Sequence, residues 1–250
     1  MNQPIALDSC FSLVNSHLQP ATQPAPADRP WRVVTFSRQT GCGAHTVAEK
    51  LADLLQQQSP AGSVPWKVFD RDLMEKVLED HHLPARLAQF LPEDRITELQ
   101  DIMDELVGLR PGSHTIALQT AETVLRLAEL GNVIFIGRGS TVVTGKLPGA
   151  FHVRLVAPLE KRIEHAHEFY HLGRAEARKF CRREDAGRKR YLKKYFGADI
   201  DDPLLYHLIV NTGLMSFDEA AQTIARAMLG KLESAPEITA LPARPSRAYA

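Results

Sequence analysis

The segment with the clearest capacity for chemistry runs from Val33 to Ala48 and reads VVTFSRQTGCGAHTVA. A β-branched run is followed by a loop that contains Gly41 and Gly43, and then by the apolar periodicity of a helix. Glycines let backbone N–H groups converge on an anion, and a helix N-terminus adds further donors and a favourable dipole. The segment therefore predicts a phosphate-binding loop, although two glycines also suit an ordinary strand-to-helix turn.

This loop departs from the standard phosphate-binding motifs. In G-x-x-x-x-G-K-[ST] aligned on Gly43, the first glycine is replaced by Arg38 and the lysine by Ala44. The dinucleotide motif G-x-G-x-x-G also fails, because its third glycine position holds Thr46. A nicotinamide enzyme is therefore a minor alternative, and positive charge on bound phosphates has to come from arginine. The planar fork of Arg38 suits two phosphate oxygens, unless this side chain is simply solvated.

Polar residues also follow the second and third β-branched runs of the chain. Asp70 and Asp72 come after the second run, and Arg138 comes after the third. Open α/β sheets bind ligands at the carboxyl edge of their strands, so Arg138 is a candidate ligand contact. The alternatives are that a carboxylate caps the helix beginning near Leu73 and that Arg138 forms a surface salt bridge.

A strongly basic segment lies further along the chain. Between Arg174 and Lys194 there are ten Lys or Arg residues and three Asp or Glu residues. On a helix, Arg182 and Arg183 would form one basic patch with Arg178, and Asp185 is placed to orient one of these arginines. The segment is a candidate for a mobile lid over phosphates, whereas a solvated charged helix and an RNA-binding patch are the alternatives.

The elements that position these residues alternate between short strands and longer helices, which is typical of a parallel βα-repeating sheet. Helices are predicted at 44–57, around 116–130 and at 217–232, the last with a capping box of Ser216 and Glu219. The predicted strands are Arg32 to Phe36, Lys67 to Phe69, Val133 to Ile136, His152 to Val156 and Leu208 to Val210.

Composition limits the possible classes of protein. Thirty basic residues balance 30 acidic ones, so no net field draws the chain to nucleic acid or to a membrane surface. No apolar run approaches the roughly 20 residues that span a bilayer. The three cysteines form no CxxC pair, which fits a reducing cytoplasm. Pro-rich ends predict flexible tails at 1–30 and 234–250 around one domain at 31–233, with a lid at about 165–197.

The pattern Ser37-Arg38-x-x-Gly41-x-Gly43 before a helix resembles the phosphate loop of cytidylate kinase-like proteins, which are relatives of nucleoside monophosphate kinases. In true cytidylate kinases the loop carries a lysine, and the motif like Gly137-Arg138-Gly139 usually ends in aspartate; both are absent here. The resemblance extends over about 32–231 and includes Phe69–Leu73, Ile136–Gly139, the basic stretch around Arg182, Tyr195–Gly197 and Asn211–Thr212.

This resemblance implies a three-layer α/β/α P-loop NTPase-type parallel sheet with a helical lid insertion. It also implies transfer of the γ-phosphoryl group of ATP, with Mg²⁺, to a nucleoside monophosphate such as CMP, by positioning and charge. Two other functions stay open: a non-catalytic nucleotide sensor, because Ala44 replaces the lysine, and a kinase of another small molecule.

The resemblance also implies a role for each site residue. Thr46 would meet phosphate or Mg²⁺, unless it only caps the helix. Cys42 is either a reactive thiol or a small loop residue. The implied ATP-binding residues are Ser37, Arg38, Gly41, Cys42, Gly43, Ala44, His45 and Thr46. The implied catalytic arginines are Arg38, Arg138, Arg182 and Arg183. The implied acceptor-binding residues are Asp70, Asp72, Arg138 and Asp185.

Overall fold

The computed structural model of the protein describes residues 32–60, 62–70 and 113–234. Five strands form one sheet in the order β2-β3-β1-β4-β5, and every pairing is parallel. The strands are β1 (Val33–Arg38), β2 (Lys67–Phe69), β3 (Val133–Ile136), β4 (Ala150–Val156) and β5 (Leu208–Asn211). The predicted parallel α/β sheet is confirmed. The predicted N-terminal extension, the end of the C-terminal tail, Asp72 and the helix near Leu73 lie outside the described residues.

The helices alternate with these strands. Helix α6 begins with the predicted capping box: the Ser216 N–H donates to Glu219 Oε2 at 2.8 Å, and the Glu219 N–H donates to Ser216 Oγ at 3.2 Å. No helix among the described residues has both the length and the apolar composition that crossing a membrane requires. The helices are α1 (Ala44–Gln57), α2 (Ser113–Leu130), α3 (Ser140–Val143), α4 (Leu159–Tyr170), α5 (Arg174–Phe196) and α6 (Phe217–Ser234).

Successive side chains of a buried strand point to opposite faces of the sheet, so the apolar core forms two layers. Val34 and Phe36 of β1 belong to the cluster that α1 and α6 cover, where Leu51 and Ile224 are fully buried. Val33, one residue away, belongs to the opposite cluster. The members of this second cluster are Val33, Phe69, Val124, Leu127, Ala128, Val133, Phe135 and Ala150. Helices therefore cover both faces of the sheet, which confirms the predicted three-layer α/β/α architecture.

Helix α5 is attached to the rest of the fold mainly through α4. The two helices share a small apolar cluster of Ile163, Ala166, Ala177 and Cys181, which is separate from both layers of the main core. Burial of so few apolar groups holds α5 weakly, so polar contacts with the phosphate loop have to contribute to its position.

The sheet register sets the position of the site. Phe36 of β1 pairs with Ile136 of β3, and Arg38 pairs with Leu155 of β4. The loop after β1 and the turn after β3 therefore leave the sheet side by side at its carboxyl edge. This is the edge at which open α/β sheets bind ligands.

Candidate functional site

The phosphate loop joins β1 to α1 through two glycines in the left-handed region, Gly41 with φ 84° and Gly43 with φ 72°. A Cβ on Gly41 would lie 2.8 Å from the carbonyl carbon of Arg162, and a Cβ on Gly43 would overlap the ring of Phe217. Both positions therefore require glycine for conformation and for space. Gly43 caps α1 without a side-chain hydrogen bond, so no side chain of the cap covers the amides that begin this helix.

Cys42 is a buried structural residue of this loop. Its side chain is 1% exposed, and burial raises the pKa of its thiol to about 11. The Cys42 carbonyl accepts a hydrogen bond from Thr212 Oγ1 at 3.1 Å. Burial and the raised pKa of the thiol favour the alternative of a small structural loop residue over that of a reactive thiolate.

His45 and Asp70 connect the first turn of α1 with the end of β2. Their Nδ1 and Oδ2 atoms are 3.6 Å apart, and both side chains are partly exposed. Thr46, the next residue of α1, is partly buried. The structure thus brings the carboxylate of Asp70 close to the first turn of α1, at the carboxyl edge of the sheet.

The turn after β3 has an unusual backbone conformation. Gly137, Arg138 and Gly139 have successive φ angles of 83°, 55° and 69°. For a residue with a Cβ, the left-handed region costs roughly 1–2 kcal/mol. Arg138 is nevertheless only 8% exposed. Such strain is concentrated at functional sites, where the surrounding structure enforces it.

Arg38 and Arg138 both line a small cavity between this turn and α5. The guanidinium group of Arg38 occupies the space that a Cβ on Gly137 would need. Arg188 of α5 lines the same cavity, whose volume is about 30 Å³. We name it the arginine cavity, after Arg38, Arg138 and Arg188. The three arginines among its lining residues make it a candidate position for an anion.

Asp185 fastens α5 to the phosphate loop. Its Oδ1 accepts from the Thr40 N–H at 2.7 Å, from Thr40 Oγ1 at 2.9 Å and from Arg188 Nη2 at 2.7 Å. Its Oδ2 accepts from Arg162 Nη1 at 2.7 Å. Arg162 also donates to the Thr40 carbonyl at 3.2 Å, and Arg188 donates to Thr40 Oγ1. We call Thr40, Arg162, Asp185 and Arg188 the Asp185 clasp.

The clasp shows what Asp185 does in this arrangement. Arg162 and Arg188 are 7% and 8% exposed, and the carboxylate is the counter-ion of both. The prediction that Asp185 orients one of Arg178, Arg182 and Arg183 is wrong, because its carboxylate bonds to Arg162 and Arg188 instead. Its contact with an acceptor stays a prediction, because the carboxylate bonds to protein groups here.

Ser37 lies at the end of β1 in a second polar network. Its Oγ accepts from Arg154 Nη1 at 2.9 Å and from the Tyr206 hydroxyl at 3.1 Å. Arg154 Nη2 donates to Asp201 at 2.7 Å. Burial raises the pKa of Tyr206, which keeps its hydroxyl a donor. Ser37 therefore anchors the segment after α5 to the carboxyl edge of the sheet.

The structure does not bring Arg182 and Arg183 to the arginine cavity. Both are exposed, and Arg183 donates to Glu184 at 3.1 Å and lies over the ring of Phe180 at 5.5 Å. Arg178, the third member of the predicted basic patch, pairs with Glu160 at 2.7 Å. The catalytic roles of Arg182 and Arg183 stay predictions.

Sequence reasoning missed the two buried arginines that lie outside the basic run, Arg154 and Arg162. Arg162 lies next to Ile163 and one turn before Ala166, so it belongs to the buried face of α4. A charged residue inside an apolar stripe was the available signal, because an arginine is almost never fully buried unless it is paired.

Comparisons with known proteins identify the fold and the family. Over 115 residues the chain is 27% identical to the uronate isomerase of Corynebacterium glutamicum; the match covers 46% of this chain and only 22% of that protein. A crystal structure of an uncharacterized protein from Eubacterium ventriosum superposes with a TM-score of 0.59 at 16% identity, over 79% of this chain and 98% of that one.

Shikimate kinase from Bacteroides thetaiotaomicron superposes with a TM-score of 0.44 at 13% identity, over 81% of this chain and 98% of that one. The sequence model of the cytidylate kinase-like family matches residues 33–214, from the first strand to the loop after the last. This match includes the phosphate loop, the turn after β3 and the Asp185 clasp. The chain therefore belongs to the cytidylate kinase-like family and has a parallel five-stranded α/β fold.

Proposed function

We propose that this protein transfers the γ-phosphoryl group of ATP, with Mg²⁺, to the phosphate of a nucleoside monophosphate such as CMP. The observation that carries the proposal is the convergence of Arg38, Arg138 and Arg188 beside a glycine loop at the carboxyl edge of the sheet. Phosphoryl transfer depends on positioning the reactants and on positive charge at the transferred group. Both requirements match a rigid loop flanked by guanidinium groups.

The donor side of the site consists of the loop after β1 and the first turn of α1. The amides that begin α1 and the dipole of this helix suit the phosphates of ATP. Thr46 carries the hydroxyl group of this turn that would hold Mg²⁺, whose positive charge would offset that of the phosphates. Ala44 supplies no charge, so Arg38 is the residue we assign to the transferred phosphate.

The acceptor side consists of the arginine cavity and the end of β2. Arg138 lines this cavity in a strained backbone conformation, and we assign its guanidinium group to a phosphate of the acceptor. Asp70 follows β2, the strand next to β3 in the sheet, and we assign it to the rest of the acceptor. A fixed pair of arginines would hold the acceptor phosphate in line with the donor.

Helix α5 acts as the lid in this proposal. The arginine cavity measures about 30 Å³, far below the roughly 300 Å³ of the smaller ligand pockets. Substrate binding therefore requires α5 to move away from β1 and β3. Closure over the bound phosphates would exclude water, which would otherwise hydrolyse ATP. Arg182 and Arg183 would reach the phosphates only through such a movement.

The test is ADP formation from ATP and Mg²⁺ with purified protein, with CMP, dCMP, UMP, AMP and GMP as acceptors and a reaction without acceptor as the reference. We expect ADP formation that depends on the acceptor and falls at least tenfold in Arg38→Ala and in Arg138→Ala. Arg226→Ala, which removes an exposed arginine of α6, is the matched control and keeps full activity. Full activity in the Arg38 and Arg138 variants would refute the assigned roles.

A nucleotide sensor is the second candidate function. It is favoured by Ala44, which supplies no positive charge in the lysine position. It is also favoured by the amide of Thr40, which donates to Asp185 and not to a phosphate in this arrangement. ATP binding without turnover for any acceptor would support the sensor. No binding of ATP at all would contradict both candidates, because both depend on the phosphate loop.

A further inference from the structure

Ser140 has a buried hydroxyl group with no hydrogen-bond partner among the residues that the structure describes. The residue follows the strained turn after β3 and is 1% exposed. An unsatisfied buried hydroxyl is unfavourable, and native proteins contain few of them. Such a group in a well-packed region requires a physical reason.

Poor packing does not explain it, because the neighbouring hydroxyl groups are satisfied. Thr144 Oγ1 donates to the Ser140 carbonyl at 2.7 Å, and Thr141 Oγ1 lies 3.0 Å from Thr35 Oγ1. Thr144 and Thr141 are also buried, at 0% and 7% exposure. Within this short stretch the Ser140 hydroxyl therefore differs from comparable groups in lacking a protein partner.

Ser140 lines the arginine cavity together with Arg38, Arg138 and Arg188. Ser37, another hydroxyl residue of the lining, is already engaged by Arg154 and Tyr206. Ser140 is thus a neutral lining residue, with a buried hydroxyl, of a cavity whose charged lining residues are arginines. A group that accepts hydrogen bonds and carries negative charge would satisfy the serine and complement the arginines at once.

We infer that Ser140 is an acceptor-binding residue whose hydroxyl donates a hydrogen bond to a phosphate oxygen of the acceptor, beside Arg38 and Arg138. The inference rests on the proposed function for the identity of the acceptor as a phosphate monoester. The protein leaves the hydroxyl unsatisfied in its own structure, and the acceptor supplies the missing partner. Ser140 thereby helps to select phosphorylated acceptors over their unphosphorylated nucleosides.

The test compares Ser140→Ala with the wild-type protein by calorimetric titration of CMP, cytidine and inorganic phosphate. We expect CMP and phosphate to bind about tenfold more weakly to the variant, because one hydrogen bond to a charged group is lost. Cytidine affinity stays unchanged, because cytidine lacks the phosphate. The thermal midpoint of the variant does not fall, since alanine removes a hydroxyl that has no protein partner.

Thr144→Val is the matched control, because it removes a buried hydroxyl of the same short stretch whose partner is the Ser140 carbonyl. We expect the opposite result: a lower thermal midpoint with unchanged affinity for CMP and phosphate. Ser140→Cys, which keeps a weak donor of similar shape, binds CMP with an affinity between those of the wild type and Ser140→Ala.

Wild-type affinity of Ser140→Ala for CMP and phosphate would overturn the inference and would indicate that water satisfies the hydroxyl. A wild-type protein that binds neither ligand would overturn it as well. Binding of CMP without turnover would instead contradict only the proposed catalysis, and the effect of Ser140→Ala on binding would still decide this inference.

Discussion

Asp185→Asn tests whether the clasp fastens α5 to the phosphate loop. The carboxylate accepts two bonds from Thr40 and one each from Arg162 and Arg188, all between 2.7 and 2.9 Å. An amide has one acceptor atom, and its NH₂ group would face donors. The substitution therefore leaves two arginines, 7% and 8% exposed, without their counter-ion.

The expected loss in the free energy of unfolding follows from the burial of the ion pairs that Asp185 forms with Arg162 and Arg188. Breaking a buried ion pair by removing one partner costs about 3–5 kcal/mol. The side chain of Asp185 is 26% exposed, so water reaches part of it and we take the lower end, about 3 kcal/mol. In a chain of this size each kcal/mol shifts the thermal midpoint by about 2–4 °C, so the midpoint should fall by about 6–12 °C.

The assay is thermal unfolding followed by circular dichroism, with Glu184→Gln as the matched control. Glu184 is adjacent on α5, and its partner Arg183 is 53% exposed, so its loss costs at most about 1 kcal/mol. A double variant with Arg162→Met should lose less than the sum of the single variants, because one uncompensated charge disappears. A midpoint for Asp185→Asn equal to that of Glu184→Gln would refute the clasp.

Three further predictions concern the loop and the sheet. Gly41→Ala should abolish ATP binding and lower stability more than Gly131→Ala, because both have positive φ but only Gly41 lies against the Arg162 backbone; equal losses in thermal midpoint would contradict this. With Cys42 as the sole cysteine, a thiol reagent at pH 7.5 should react slowly until the protein unfolds, since burial raises the thiol pKa to about 11; rapid native-state labelling would contradict it. Burial lowers the pKa of His152 to about 4, so the unfolded state binds the proton first and stability falls between about pH 6.5 and pH 4. The loss in unfolding free energy should be about 3 kcal/mol, and His152→Gln should remove most of this pH dependence in urea titrations.

Much of the fold could be predicted because its elements follow apolar periodicity. The bounds of α1, β2 and β3 agree with the prediction, and α6 begins at the predicted capping box. Strand β1 continues two residues beyond the predicted Phe36, to Arg38. Ser37 and Arg38 are polar and look like loop residues in sequence, but they continue the ladder with Arg154 and Leu155 of β4.

The position of the candidate site could also be predicted, because glycines mark both turns at the carboxyl edge. Gly41, Gly43 and the Gly137–Gly139 turn all have the positive φ angles that favour glycine. The sequence thus predicted these two turns from their backbone requirements, which glycine residues display directly.

The side chains that face the site were harder to predict, because charge density does not reveal orientation. The basic run drew attention to Arg182 and Arg183, which are exposed, whereas Arg188 lies inside beside Gly187 and Leu192. Only the packing of α5 on α4 determines which face of the helix meets the loop. The partnership of Arg162 with Asp185 joins two helices and is likewise a tertiary property.

The most direct test of the central claim is the affinity of a bisubstrate ligand in which adenosine and cytidine are joined through five phosphates. If one site holds donor and acceptor side by side, this ligand should bind the wild-type protein at least about 100-fold more tightly than ATP or CMP alone. Arg138→Ala should remove most of this advantage and leave ATP affinity unchanged. A bisubstrate affinity no greater than that of ATP would contradict the claim that the arginine cavity is the acceptor site of a phosphotransferase.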